Sequence, residues 1–296
     1  MKRVYDANEI QAIYSDKAKA FEWDEKTDVL HLLKAALITT HRCTLRCKLC
    51  AERTPYYKKR YHPTLEHIKK EIDSYFDLID YTMKFDVTGG EPTMRKDLPE
   101  IMRYLIKYKE QFGRVRIVTI GTILFNKQLI DSLLLFGKQA DVLIDDYGSS
   151  LSINAKQNSE LLTKYNIIHI LRKQSDTSHF GGWVDFGDLT LLHTEEEAKV
   201  LYRKCTIAQQ IGFAFRMRGG LFSPCAMTMQ CIELGAHEGN PNDYIDLFDN
   251  TMSKLQQRKK IQRIFEADYL SACMFCNGIC IDSKRFRPAE QVLLES

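Results

Sequence analysis

The sequence of 296 residues lacks a strong charge of either sign and lacks any long apolar run. Its 42 basic and 39 acidic residues give a formal net charge of +3, so nothing in the balance suggests nucleic acid or an anionic membrane as a partner. No stretch approaches the roughly 20 consecutive apolar residues that a membrane-spanning helix needs. Internal repeats and low-complexity segments are also missing, and the ordinary composition predicts a folded globular chain.

The first residues lack the apolar core of a signal peptide, because the segment 1–6 is charged and leads into a polar stretch. We therefore expect a cytoplasmic protein. Nine cysteines in such a chain favour metal ligation over disulfides, and their odd number supports the same interpretation.

Strand-like and helix-like segments alternate along most of the chain. Residues 1–34 are predicted to form an N-terminal helical extension. Apolar spacing predicts helices over 64–79, 98–108, 126–136 and 154–165. Runs rich in β-branched residues predict strands over 36–39, 85–88, 115–120, 141–146 and 166–171, with a sixth within 182–192.

Repeated strand–helix pairs predict an α/β fold whose parallel sheet is either open or a partial barrel. Ligands in such folds bind at the carboxyl ends of the strands. Three polar segments each follow a predicted strand and should therefore meet: the loop 43–50, Gly89-Gly90-Glu91 and Asp145-Asp146. Beyond residue 200 this alternation stops, which predicts a smaller second module over 201–296.

Cys43, Cys47 and Cys50 form a C-x3-C-x2-C group directly after the first apolar strand. Three thiolates on a short loop can bind three irons of a cubane cluster and leave the fourth iron open to another ligand. A structural zinc site would need four ligands. Buried free thiols are the third interpretation.

The sequence here resembles the radical SAM enzymes. Cys43-x3-Cys47-x2-Cys50, with the apolar Leu49 before the third cysteine, is similar to their defining motif, and Gly89-Gly90-Glu91-Pro92 is similar to the motif after their second strand. The resemblance covers roughly residues 32–193. It implies a partial (β/α)6 TIM-like barrel over 35–200.

The resemblance also implies cofactors. Cys43, Cys47 and Cys50 would hold a [4Fe-4S] cluster whose open iron chelates S-adenosylmethionine, and Gly89 and Gly90 would let the backbone approach the methionine end. Glu91 would accept a hydrogen bond from the ammonium group. An electron from the cluster would then release a 5′-deoxyadenosyl radical, which abstracts a hydrogen atom from the substrate.

The end of the fourth strand is a further implied ligand site. In the family this position often binds the ribose hydroxyls, and here it carries Asp145 and Asp146. A solvated acidic turn is the alternative interpretation. Arg172 and Lys173 could neutralise the methionine carboxylate or simply face solvent. Ile120 stands where the family usually has a polar residue, so it is assigned no ligand role.

The remaining cysteines resemble the SPASM/twitch extension of radical SAM enzymes, in which a hairpin and a later C-x2-C bind an auxiliary cluster. The resemblance implies a second [4Fe-4S] cluster in a twitch-type module, with the ligands Cys205, Cys225, Cys273 and Cys276. Cys231 and Cys280 are the alternatives for the fourth ligand. A zinc knuckle or buried thiols would use the same residues.

Gly219-Gly220 predicts a hairpin turn beside Cys225. Arg216 and Arg218 share one face of its first strand, opposite Phe213, Phe215 and Met217. The two arginines could meet an acidic or phosphorylated substrate, act as a base near the auxiliary cluster or extend into solvent.

The resemblance implies a radical SAM oxidoreductase that dehydrogenates a small molecule such as a sugar or aminocyclitol. An enzyme that oxidises, crosslinks or epimerises a peptide is the alternative within the family. An iron–sulfur or zinc scaffold without catalysis is the alternative from another class. A flavodoxin or ferredoxin would supply the electron, and no residue is assigned as a catalytic acid or base.

Overall fold

One nine-stranded sheet forms the centre of the structure, a computed structural model that describes residues 21–174, 183–209 and 215–292. Its strands are β1 (Phe21–Asp24), β2 (Val29–Ile38), β3 (Tyr81–Thr88), β4 (Phe112–Thr119), β5 (Ala140–Asp146), β6 (Ile168–Lys173), β7 (Phe215–Arg218), β8 (Leu221–Ser223) and β9 (Ile245–Asp246). They follow the order β6–β5–β4–β3–β2–β7–β8–β9, and β1 pairs with β2 outside this path.

Helices connect and cover these strands. They are α1 (Leu65–Leu78), α2 (Leu98–Leu105), α3 (Lys127–Leu134), α4 (Ala155–Lys164), α5 (Glu195–Lys204), α6 (Thr206–Gln209), α7 (Ala226–Glu233) and α8 (Lys254–Glu266). The α1 helix begins as its sequence predicts, because the Thr64 hydroxyl accepts from the His67 backbone N–H and satisfies one unpaired donor.

The strands β2 to β6 run parallel, with a helical connection between each pair. The predicted α/β fold of partial-barrel type is therefore confirmed. Side chains alternate along β3: Phe85 and Val87 join the main hydrophobic core with residues of α1 and α2, so Lys84 and Asp86 lie on the inner face. Burial lowers the pKa of Lys84 to about 7, and Asp86, 3.4 Å away, opposes that shift.

The predicted N-terminal helical extension is wrong where the structure describes it. Residues 21–34 form β1 and the first half of β2, which pair antiparallel across a turn at Asp28 with φ of 51°. Alternate residues of β2 are buried at its start, a period of two that an extended strand explains and a helix does not. Residues 1–20 of this prediction lie outside the described residues.

The sixth strand is also misplaced in the prediction. Among the described residues 183–192, Trp183 forms an isolated bridge with Phe286 and no strand is present. The sixth parallel strand is β7, which pairs with β2 on the opposite side from β3. Its position depends on pairing between residues about 180 positions apart, which local patterns do not reveal.

The predicted hairpin at Gly219-Gly220 is present as β7–β8, and β9 extends it. These strands continue the core sheet, so the structure does not divide at residue 200 as the module boundary predicts. Within the described ranges, no helix is both long and apolar enough to cross a membrane.

Candidate active site and metal centres

The first candidate site is the loop after β2 that carries Cys43, Cys47 and Cys50. The three side chains belong to one apolar cluster with Leu45 and Ala289 at its centre. Cys47 is buried, and the other two are half-buried. The structure thus brings the three thiols together, while their role as iron ligands stays a prediction.

Each thiol of this loop has a hydrogen-bonding neighbour. The contacts are Leu45 N–H to Cys43 Sγ at 3.4 Å, the Gln291 amide to Cys47 Sγ at 3.4 Å, and Thr54 Oγ1 beside Cys50 Sγ at 3.6 Å. Donors of this kind stabilise a thiolate and, in iron–sulfur sites, influence the reduction potential.

Burial determines the protonation of these thiols. It raises the pKa of Cys43 to about 12 and that of Cys47 to about 11. The hydrogen bond from Gln291 opposes the shift at Cys47, because it favours the charged form. Without a cluster both thiols are protonated at neutral pH, so iron binding must release their protons.

The Gly89-Gly90 turn packs directly against the backbone that leads into the cysteine loop. Gly90 N–H donates to the Thr40 carbonyl (2.7 Å) and Glu91 N–H to the Arg42 carbonyl (2.8 Å). A Cβ at Gly89 would lie 2.3 Å from the Thr40 oxygen, and one at Gly90 would lie 2.5 Å from the Arg42 oxygen. In this structure glycine is therefore required by the chain's own packing, and contact with S-adenosylmethionine stays a prediction.

Glu91 is fully buried and ties the end of β3 to the end of β4. Its carboxylate accepts from the backbone N–H and hydroxyl of Thr93, from the Thr119 hydroxyl and from the Ile120 N–H, at 2.6–3.0 Å. Burial raises its pKa, while these donors lower it. The structure therefore gives this carboxylate a bracing role, and the predicted bond to the ligand's ammonium stays untested.

Asp145 and Asp146 differ sharply although they are adjacent at the end of β5. Asp145 is buried and binds Arg172 through two hydrogen bonds of 2.6 and 3.0 Å, and it accepts a third from Gln174. Asp146 is half-buried and accepts from Gly148 N–H at 2.8 Å. Arg172 therefore neutralises Asp145 here, and a ribose contact by either aspartate remains a prediction.

The second candidate site is a cavity with an empty space of about 400 Å³. Its lining includes all four cysteines predicted for the auxiliary cluster: Cys205, Cys225, Cys273 and Cys276. They come from separate places, namely the end of α5, the start of α7, and the 3-10 helix Ser271–Phe275 with the residue after it. Apolar side chains such as Phe186, Leu201 and Met227 complete the wall.

The two spare cysteines lie apart from this lining. Cys231 is fully buried and packs with Met227 and Cys276 in a small apolar cluster. Cys280 lies just after the wall, and its Sγ would be 3.6 Å from a Cβ added at Gly278. Neither is among the residues that the structure places on the cavity wall, which favours Cys276 as the fourth ligand.

The thiols of the cavity influence one another's ionisation. Burial raises the pKa of Cys225 to about 11, and nearby Cys205 adds to the shift. Burial also raises the pKa of Cys273 and Cys276, again with contributions from neighbouring cysteines. Mutual repulsion of this kind shows that the four sulfurs are close, and bound iron would relieve it.

A single metal ion fits this arrangement poorly. Over the described ranges, no group of three or more His, Cys, Asp or Glu side chains is arranged to hold a metal ion. A cubane binds each thiolate to a different iron, so its ligands stand farther apart than the four around one zinc. The donor chemistry, sulfur alone in an apolar wall, also suits a cluster.

Arg216 on β7 connects the two sites electrostatically. Burial lowers the pKa of Arg216, and the thiols of Cys225 and Cys50 oppose that shift, so the guanidinium is within reach of both. Its side chain is 25% exposed and forms an ion pair with Glu52. It is therefore placed between the two sets of cysteines.

Arg218, two residues later, has a different environment. It is fully buried, donates to His41 Nε2 at 2.7 Å and to Tyr57 Oη at 3.2 Å, and forms an ion pair with Glu233. The possibility that both arginines extend into solvent is therefore wrong, because Arg218 is held by buried partners. Only Arg216 of this pair retains exposed surface.

Sequence patterns missed two residues of these sites, Glu52 and Gln291. Glu52 follows the cysteine motif by two positions and could have been noticed as an acid beside it. Gln291 lies 244 residues from Cys47, and no motif or periodicity links the two.

Comparisons with known proteins agree with this geometry. Residues 37–149 match the family model of the radical SAM superfamily. The 7,8-dihydro-6-hydroxymethylpterin dimethyltransferase of Methanocaldococcus jannaschii is 35% identical over 101 residues, which is 33% of this chain and 19% of that protein. The match thus spans about a fifth of the curated relative.

Two solved structures share the fold. BtrN in complex with AdoMet and 2-DOIA has a TM-score of 0.50 at 13% identity, over 88% of this chain and 98% of BtrN. The anSMEcpe structure with bound AdoMet has a TM-score of 0.50 at 13% identity, over 87% and 93% of the two chains. The family model together with these folds supports placing residues 37–149 in the radical SAM superfamily.

Proposed function

We propose that this chain is a radical SAM enzyme that oxidises a small molecule and carries a second, auxiliary [4Fe-4S] cluster. The observation that carries the proposal is the convergence of four distant thiols on one apolar cavity, beside a three-thiol loop of different character. When bound, the first cluster and S-adenosylmethionine supply a radical that takes a hydrogen atom from the substrate.

The residues present fit both cofactors. Cys43, Cys47 and Cys50 would hold three irons of the first cluster, leaving the fourth for S-adenosylmethionine. The Gly89–Glu91 turn braces the loop from below, since its backbone bonds reach Thr40 and Arg42. Four thiols around the second cavity would satisfy every iron there, so that cluster has no open position and suits electron acceptance.

Arg216 and Glu52 are proposed to orient the substrate between the two sites. The guanidinium donates and the carboxylate accepts, so together they can bind hydroxyl and amino groups of a sugar or aminocyclitol. Arg216 is only 25% exposed, which restricts contact with water. A polar pair at the mouth of an otherwise enclosed site gives orientation without opening the site to solvent.

A flavodoxin or ferredoxin is proposed as the electron donor, and the cytoplasm as the compartment. Neither nucleic acid nor a membrane is proposed as a partner, in keeping with the even charge balance.

The test is S-adenosylmethionine cleavage by anaerobically reconstituted, dithionite-reduced protein. We expect 5′-deoxyadenosine from the native chain and its complete loss in Cys47→Ala, with Cys280→Ala as the matched control that retains it. Absence of 5′-deoxyadenosine from a fully iron-loaded native chain would contradict the proposal and favour a scaffold.

Product analysis then distinguishes reaction types. Dehydrogenation of a sugar or aminocyclitol predicts one oxidised product for each 5′-deoxyadenosine formed. S-adenosylhomocysteine as the main product would show methyl transfer instead, and product formed only on a peptide would show a peptide-modifying enzyme. Either result would overturn the proposed small-molecule oxidation.

A further inference from the structure

The segment 289–292 forms a short strap against the cysteine loop. Lys48 N–H donates to the Glu290 carbonyl and Val292 N–H donates to the Arg46 carbonyl, both at 2.7 Å. Cys47 and Gln291 form an antiparallel bridge between these bonds. The middle cysteine of the motif is therefore paired with a residue from the far end of the sequence.

The side chain of Gln291 is held in one orientation. Its Oε1 accepts from Arg46 N–H at 2.7 Å, which directs the amide nitrogen to the other side. That nitrogen donates to the Ala289 carbonyl at 2.6 Å and to Cys47 Sγ at 3.4 Å. Because a backbone N–H can only donate, the amide cannot be flipped without losing this bond.

The strap is held in place by packing as well. Ala289 is 1% exposed, lies in the cluster with Leu45 and Cys47, and has φ of 53°. A non-glycine residue in the left-handed region costs about 1 kcal/mol or more, and persists only where surrounding contacts favour it. The strap is therefore a built contact.

The three thiols of the loop differ in where their partners come from. Leu45, the donor to Cys43, belongs to the loop itself, and Thr54, beside Cys50, lies four residues on. The donor to Cys47 comes from 244 residues away. Cys47 is thus the ligand whose hydrogen bonding depends on the tertiary fold.

We propose that Gln291 is a positioning residue for the first cluster: its amide N–H bond to Cys47 Sγ fixes that ligand and raises the reduction potential of the cluster. This inference rests on the proposed function, since it requires a cluster on the loop. Reduction adds negative charge to the cluster, and a donor to sulfur stabilises the more negative form. Losing the donor should therefore make reduction harder.

The test is a redox titration of the iron-loaded full chain, followed by electron paramagnetic resonance of the first cluster. Gln291→Met keeps length and removes the donor, and Gln291→Glu keeps an acceptor for Arg46 while placing negative charge near the sulfur. We expect the midpoint to fall in the order native, Gln291→Met, Gln291→Glu. At a fixed potential, the reduced-to-oxidised ratio should fall about three- to tenfold in Gln291→Met, where tenfold corresponds to 59 mV for one electron.

Val292→Ala is the matched control, because its backbone bond to Arg46 is retained and it leaves the thiols untouched. We expect its midpoint to equal that of the native chain. Equal midpoints in all four proteins, or the Gln291 variants changed only in melting temperature and iron content, would overturn the role of Gln291. Lack of a cluster on the loop of the native chain would instead overturn the proposed function, so the two failures are distinguishable.

Discussion

The two cysteine sites of this chain are built in opposite ways. The first uses three thiols within eight residues, on a loop where each sulfur has a hydrogen-bonding neighbour. The second gathers four thiols from three separate regions into a largely apolar cavity. Local spacing thus creates a site with one ligand too few for a cubane, and the tertiary fold creates a site with a full set. We propose that this difference separates radical generation from electron acceptance.

The largest expected effect comes from deleting one ligand at each site. Cys43→Ala should lower the iron content from about eight to about four per chain and abolish 5′-deoxyadenosine formation. Cys225→Ala should lower iron equally but retain that cleavage, while substrate oxidation falls at least about a hundredfold because the acceptor is lost. Iron analysis and product quantification measure both.

Cys231→Ala and Cys280→Ala serve as controls, because neither residue lies on the described cavity wall. Both should keep about eight irons. A Cys225→Ala chain that still holds eight would show that the second set of ligands is wrongly assigned.

A pH-dependent effect sharpens the comparison on the side of the second site. The buried Glu71 carboxyl accepts from Gly220 N–H (2.8 Å) and from Tyr61 Oη (2.9 Å), and so braces the hairpin that leads to Cys225. Burial raises its pKa to about 7 from the usual 4.5. Its contribution to stability is therefore full below pH 4.5 and declines as the pH rises to 7.

Glu71→Gln removes this titration. Relative to the native chain, the variant should gain about 3 kcal/mol in unfolding free energy between pH 4.5 and pH 8, since one pKa unit is worth 1.36 kcal/mol. Urea unfolding at several pH values measures the difference. Glu66→Gln, exposed on the same helix, should show no such trend, and a flat difference for Glu71→Gln would refute the assignment.

A smaller effect should be confined to the first site. Gly90→Ala would place a Cβ 2.5 Å from the Arg42 carbonyl, and such overpacking costs about 1–3 kcal/mol. We expect lower stability together with loss of iron from the first site alone. Gly137→Ala, with no atom within 4 Å of its Cβ but φ of 57°, should cost about 1 kcal/mol and leave iron unchanged. Equal iron loss in both variants would contradict the account.

Local patterns predicted much of the fold. The α1 helix and its Thr64 cap follow from apolar spacing and a hydroxyl at the start, and β3 to β6 follow from short β-branched runs. The strands β1 and β7 did not follow. Pairing across the Asp28 turn determines β1, and pairing with distant β2 determines β7.

The sites divide in the same manner. Spacing alone indicated that Cys43, Cys47 and Cys50 would meet, whereas family resemblance was needed to group Cys205 with the cysteines near residue 275. Gln291 and the placement of Arg216 beside Glu52 depend on the folded chain, since no local pattern relates a residue to a partner across the molecule.

The most direct test of the central claim is electron paramagnetic resonance of the reduced, fully loaded chain with and without S-adenosylmethionine. The account predicts two cluster signals, of which the ligand alters one. That signal should be missing in Cys47→Ala and present in Cys273→Ala, while the other signal should behave in reverse. A single cluster, or two signals that S-adenosylmethionine leaves unchanged, would contradict the division of roles between the two cysteine sites.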